Sequence, residues 1–179
     1  MHHLNQQHRF QWLKKPILSG RQHLWLIGRG SLTMSLRQRY ADFSVKLVTA
    51  EYAKPFLDEV TPLKIPLHKH VLIREVLLMG NNQAVVFAHS ILPRESLRGR
   101  WLGMGRLGNR PLGESLFANP QVRRTVLSFK KLSHHHLLFQ HATQHLNDKP
   151  AYLWARRSVF LLNCAQMMVT EVFLPELLR

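Results

Sequence analysis

Between Val71 and Leu92 two apolar runs flank the tripeptide Gly80-Asn81-Asn82. Asparagine and glycine tolerate the positive φ that a tight hairpin turn demands, so Val71–Met79 and Gln83–Leu92 are predicted to be two antiparallel strands, the second stopped by Pro93. The first strand is apolar at odd and even positions alike, yet it contains Arg74 and Glu75. Side chains alternate along a strand, so Arg74 shares a face with Leu72, Val76 and Leu78, and Glu75 shares the other with Ile73, Leu77 and Met79. A charge in such a segment must be paired, hydrogen-bonded or neutralised.

The remaining elements fit around this hairpin. Ser31 can cap a helix running from Leu32 to Tyr40. Phe43–Val48 alternates like a half-buried strand. Pro55, Pro62 and Pro66 predict a loop without regular structure. Gly113–Phe117 opens a short helix, Val122–Phe129 reads as a strand, and Lys131–Asn147 has helical spacing. Tyr152–Leu162 and Gln166–Leu174 are strand-like and joined by Asn163-Cys164-Ala165. Sequential strands with short connections make the fold class α+β, an antiparallel sheet with helices packed on one side. At 179 residues the chain fits a single domain over residues 1–179.

Glu171 repeats the anomaly of Arg74. It lies in Val169-Thr170-Glu171-Val172-Phe173, on the face shared by Met167, Val169 and Phe173, in a chain with ten acidic residues against 25 Lys and Arg. Two readings stand. Arg74 and Glu171 face a common cavity and hold a small anion bearing a hydroxyl, or they pair with Glu75 or with Arg156 and Arg157 in an internal ion-pair network. Parity puts Arg156 and Arg157 on opposite faces of their strand, so one could meet a carboxylate inside while the other faces solvent. Cys164 reads as a small buried hydrophobe. His134, His135, His136, His141 and His145 could hold a metal only adventitiously, because no further ligand has fitting spacing. The glycine-rich stretch Leu102–Gly113 lacks the lysine and Ser/Thr of a phosphate-binding loop.

The formal charge of +15 favours anionic partners. No helix-turn-helix, zinc-ligand spacing or aromatic-basic strand accompanies it, so no specific nucleic-acid partner is expected. The charge is compatible with weak peripheral association with an anionic membrane. No apolar run reaches the roughly 18–20 residues of a bilayer span, and the first ten residues do not form a secretory signal. A single cysteine excludes an internal disulfide framework. The expected location is the cytoplasm.

Five stretches in order resemble the chorismate pyruvate-lyase family, which makes 4-hydroxybenzoate for ubiquinone synthesis. They are Gly30-Ser31-Leu32-Thr33, Arg74-Glu75-Val76-Leu77-Leu78, Gly108–Phe117, Trp154-Ala155-Arg156-Arg157-Ser158 and Thr170–Pro175. The resemblance implies a six-stranded antiparallel sheet over a buried ligand cavity closed by flaps, no cofactor, no metal, and chorismate cleavage to 4-hydroxybenzoate and pyruvate. It also implies that Arg74 binds the ring carboxylate, that Glu171 meets the 4-hydroxyl, and that backbone groups of Leu112 and Leu32 touch the hydroxyl and carboxylate ends. Residues 1–20 are expected to be a loosely attached extension, and the protein a monomer. The rival reading is a non-catalytic aromatic-acid-binding, effector-sensing domain of the same fold.

Overall fold

The structure is a computed structural model describing residues 11–17, 21–104 and 107–178. In chain order the elements are α1 (Arg21–Ile27), α2 (Leu32–Arg39), β1 (Ser44–Ala53), α3 (Leu57–Leu63), β2 (Val71–Gly80), β3 (Gln83–Pro93) and α4 (Arg94–Leu97). There follow α5 (Leu112–Ala118), β4 (Arg123–Arg124), β5 (Ser128–Leu132), α6 (Leu137–Thr143), β6 (Leu153–Leu162), β7 (Ala165–Phe173) and α7 (Pro175–Leu178). The strands form one antiparallel sheet in the order β1-β2-β3-β7-β6-β4, with β5 also paired to β6.

The α+β class and the central hairpin are as expected. Asn81 and Asn82 take φ of 51° and 60°, and the Asp42 carboxylate accepts from both their N–H groups, at 2.7 and 3.0 Å. Gly80 is required beside them, since a Cβ there would lie 2.5 Å from the Tyr40 ring. The sheet has seven strands rather than six among the described residues, because the expected strand Val122–Phe129 divides into β4 and β5. At the break, Thr125 Oγ1 accepts from Val159 N at 2.9 Å, replacing a backbone carbonyl, and Val126 swings out to solvent.

Helices cover both faces, not one, because β2 and β3 are apolar on both sides and each face must be buried. On one face Leu32 and Leu36 of α2 join Val76, Leu78, Val86 and Phe173 in one cluster, while Leu112 and Leu116 of α5 pack with Leu72, Leu92 and Phe160. On the other, Leu138, Phe139 and Ala142 of α6 pack with Leu77, Phe87 and Val172, and Leu63 of α3 packs with Ile73 and Ile91.

Four further expectations are corrected. The proline-rich segment contains α3 despite Pro62. Proline leaves the carbonyl four residues back without its helical donor, and that carbonyl, Asp58 O, accepts instead from Arg157 Nη1 at 2.9 Å. The expected helix Lys131–Asn147 is confined to α6, capped by His136, whose Nδ1 accepts from Leu138 N. Cys164 is exposed, because Asn163 takes φ of 54° and the pair forms the tip of the β6–β7 turn. Of the expected loose extension, Trp12 and Leu13 are docked: Trp12 Nε1 donates to Asp58 Oδ2 at 2.7 Å and Leu13 bridges to Phe129. Residues 1–10 and 18–20 lie outside the described residues.

Candidate functional site

Strand register brings the two anomalous charges onto one face. Arg74 on β2 lies opposite Ser90, Ser90 opposite Val169, and Glu171 is two residues further along β7. Two strand spacings and two residue steps separate their Cα atoms by roughly 12 Å, a distance that two inward-leaning side chains and a six-membered ring can fill. Both line a cavity whose wall also includes Leu32, Leu112, Ser90 and Arg124. All four residues singled out in the sequence therefore meet at one place.

Two flaps close the cavity. One is the start of α2, where Ser31 Oγ caps Met34 N and places Leu32 over the sheet. The other is the glycine-rich segment leading into α5, where Asn109 Oδ1 accepts from Leu47 N at 3.0 Å and anchors the loop to β1. The flaps touch at Gly113, where a Cβ would come within 3.0 Å of Thr33 Oγ1 and 3.4 Å of Ser31 Oγ. The enclosed free volume is about 40 Å³, well below the few hundred Å³ of an ordinary small-molecule pocket. A ring therefore enters only when the flaps part. Larger grooves exist, such as one of about 770 Å³ lined by Lys14, Lys15, His23 and Arg29, but it is open to solvent and no carboxylate among the described residues lines it.

Arg74 is 2% exposed. Its Nη2 donates to Gly108 O at 2.8 Å and Arg110 O at 2.9 Å, both in the second flap. Among the described residues its buried Nε has no acceptor, and no carboxylate lies within ion-pair distance. Burial lowers its pKa from the ordinary arginine value, yet a guanidinium stays charged at neutral pH. A buried charge left with neutral partners is costly, and an anion delivered to the cavity would relieve that cost.

Glu171 is both structurally paired and exposed to the cavity. Its Oε2 accepts from Arg156 Nε at 2.5 Å, and Arg124 Nη2 lies 3.9 Å from the same oxygen. Arg156 is tied elsewhere too, donating from Nη1 to the carbonyls of Trp25, Leu26 and Gly28 at 2.9, 3.2 and 2.6 Å. Glu171 Oε1 has no hydrogen-bond partner among the described residues and remains available to a ligand hydroxyl. Glu171 is therefore ion-paired with Arg156, as one of the two readings expected, and it also lines the cavity.

Arg157 does not face solvent as expected for one of the pair. It is buried on the opposite sheet face, 3.5 Å from Asp58 Oδ2 and with its guanidinium 4.0 Å above the Trp12 ring. That face also holds Glu75, whose Oε1 lies 2.8 Å from both His89 Nδ1 and His141 Nδ1, while His89 Nε2 lies 3.1 Å from Glu59 Oε1. Burial alone would raise the Glu75 carboxyl, but the two histidines bring it down to about 2. Burial likewise opposes charge on His89, and Glu59 and Glu75 outweigh it, raising the imidazole to about 9. Of the five histidines suspected of adventitious metal binding, two stand beside carboxylates on this face, His136 by Asp58 at 3.4 Å and His141 by Glu75 at 2.8 Å. Among the described residues no cluster of His, Cys, Asp and Glu could hold a metal ion.

Sequence reasoning missed Arg124 as a cavity residue. It sits beside Arg123 in the most basic stretch of the chain and so resembled a solvated charge. Its place in an alternating segment ending in the buried Phe129 was the one available signal.

An antiparallel α+β sheet with a small internal cavity lined by a guanidinium and an ion-paired carboxylate is the architecture of a small-molecule-binding protein. The family model described as chorismate lyase matches residues 7–179, and the chain belongs to that family, whose members are lyases. Among similar proteins, the probable chorismate pyruvate-lyase of Nitrosomonas europaea is 47% identical, with 88% of each chain covered. That of Thiobacillus denitrificans is 49% identical over 86% of this chain and 82% of its own. That of Methylobacillus flagellatus is 42% identical over 96% of both. The fold is also that of the effector domain of PhnF from Mycobacterium smegmatis, with a TM-score of 0.60 at 13% identity over 83% of this chain and 91% of that one. No helix among the described residues is long and apolar enough to cross a membrane.

Proposed function

We propose that the protein cleaves chorismate to 4-hydroxybenzoate and pyruvate, supplying the aromatic precursor of ubiquinone, and that it does so as a cytoplasmic monomer. The observation that carries this reading is Arg74, a buried guanidinium whose Nε has no acceptor among the described residues, in one cavity with a carboxylate held by Arg156. Arg74 takes the ring carboxylate through its unused donors. Glu171 Oε1 accepts from the ring hydroxyl, and the backbone groups of Leu32 and Leu112 complete the two ends.

In the reaction the ring carbon–ether oxygen bond breaks and the neighbouring, hydroxyl-bearing carbon loses its proton. The enolpyruvyl methylene gains a proton and becomes the methyl group of pyruvate, while the ring becomes aromatic, with no net oxidation. The protein's task is to hold one reactive conformer, stabilise negative charge moving onto the departing group and keep water out. Flaps that close to about 40 Å³ serve the last of these, and the +15 charge draws in a dianion.

The test is to mix purified protein with chorismate and follow pyruvate release together with the absorbance of the aromatic product. Stoichiometric appearance of both supports the proposal. Binding of 4-hydroxybenzoate without any turnover of chorismate would leave an effector-sensing domain instead.

A further inference from the structure

Building on the lyase reading, we propose that Arg124 is a second anion-binding residue of the cavity and takes the enolpyruvyl carboxylate of the substrate. Charge balance is the first support. Arg156 and Glu171 cancel through their direct pair. Arg74 and Arg124 are then the two cavity-lining guanidiniums without a carboxylate of their own, and Arg124 has only a share in Glu171 at 3.9 Å. A dianion supplies the two charges that balance them. A monoanion such as 4-hydroxybenzoate supplies one, which Arg74 takes.

Position is the second support. The enolpyruvyl ether departs from the ring carbon next to the one bearing the hydroxyl. If Glu171 meets that hydroxyl, the enolpyruvyl carboxylate lies at the Glu171 end of the cavity, where Arg124 is, and away from Arg74. Arg124 also forms part of the wall between the cavity and the open basic groove, so it is reached first by an anion entering from that side.

The guanidinium is held ready and not fully used. Nε donates to Ser158 Oγ at 2.8 Å, and Nη1 donates to Arg29 O at 2.9 Å at the root of the first flap. Its guanidinium carbon lies 5.5 Å from the centroid of Phe117 and 5.3 Å from that of Phe160. All of these partners are neutral. Nη2 has no hydrogen-bond acceptor among the described residues, so it can turn its two protons to a carboxylate. As the ether bond breaks, charge grows on the enolpyruvate, and a preorganised guanidinium there stabilises it.

The experiment compares ligands with and without the enolpyruvyl group. Arg124→Gln should raise the KM for chorismate about 10- to 100-fold while the Kd for 4-hydroxybenzoate stays within about threefold. Arg124→Lys should recover part of the loss. Ser158→Ala, which frees Nε but keeps the charge, should cost only a few-fold in KM, and this variant carries the comparison if Arg124→Gln does not fold. An unchanged KM for chorismate in Arg124→Gln overturns the proposal. So does a parallel loss of 4-hydroxybenzoate binding, which would mean that Arg124 only fastens the flap at Arg29. If wild-type protein binds both ligands but turns over no chorismate, the lyase reading fails by itself. Arg124 is then judged by whether Arg124→Gln weakens chorismate binding more than product binding.

Discussion

The two faces of the same sheet both bury charges, and they treat them in opposite ways. Behind the sheet, Asp58, Glu59 and Glu75 are met by Arg157, His89, His136 and His141, so negative and positive groups answer one another. In front, Glu171 is the single carboxylate beside three guanidiniums: it pairs with Arg156, lies 3.9 Å from Arg124, and leaves Arg74 with carbonyl partners only. Adjacent residues in the chain fall on opposite sides of this divide, Arg74 and Arg156 in front, Glu75 and Arg157 behind. The comparison teaches that a buried charge is not by itself a sign of function. A compensated cluster is architecture; an uncompensated one in a closed cavity is waiting for a counter-charge.

The contrast predicts that the two faces separate activity from stability. The largest effect is expected for Arg74→Ala, which should lower kcat/KM about a thousandfold, the equivalent of about 4 kcal/mol, with no loss in urea unfolding midpoint because it removes an unmatched buried charge. A folded variant with near-normal turnover would end the role given to Arg74. The reverse is expected behind the sheet. His89→Ala leaves Glu75 and Glu59 without their shared partner and should cost about 3 kcal/mol of stability, read by urea unfolding, with kcat/KM within about threefold of wild type. If activity collapses while stability holds, the two faces have been assigned the wrong way round.

Glu171→Gln keeps the shape and an acceptor for Arg156 but removes the charge, and a loss of about 30-fold in kcat, or roughly 2 kcal/mol, is expected. The smallest effect concerns pH. The His89 imidazole is raised to about 9 from 6.5, so its contribution is complete below pH 6.5 and fades as pH rises through 9. Glu75 and Asp58 are both lowered to about 2, from 4.5 and 3.8, so theirs is complete above pH 4.5 and fades as pH falls towards 2. Thermal unfolding should therefore show a plateau between about pH 4.5 and 6.5, with an alkaline decline that disappears in His89→Ala. An alkaline limb that survives the substitution would mean another group controls it.

Much of this is legible in the sequence. The Gly80-Asn81-Asn82 turn, the Ser31 cap and the two-faced β2 follow from local chemistry, and period-2 alternation placed Arg74 and Glu171 on defined faces. Less visible was whatever depends on a partner far along the chain. Pro62 looked like a helix breaker because nothing nearby shows that Arg157, 95 positions later, supplies the missing donor to Asp58 O. His89 carried no signal and His141 suggested only adventitious metal binding, since a histidine in a strand or a helix gains its role from the carboxylates packed against it. The helices on both sheet faces were underestimated for the same reason, because α3 and α6 are short and their apolar positions mark burial without saying against which face.

By itself, the sequence determined the antiparallel hairpin, the alternation of side chains and the cost of every charge set among apolar residues, because these depend on neighbours within a few positions. Tertiary structure decided which of those charges are compensated. Register between β2, β3, β7 and β6 brought Glu171 to Arg156, sent Glu75 to His89, and left Arg74 and Arg124 facing one cavity. Coulombic partnership depends on distances in space, and only the folded sheet sets those distances.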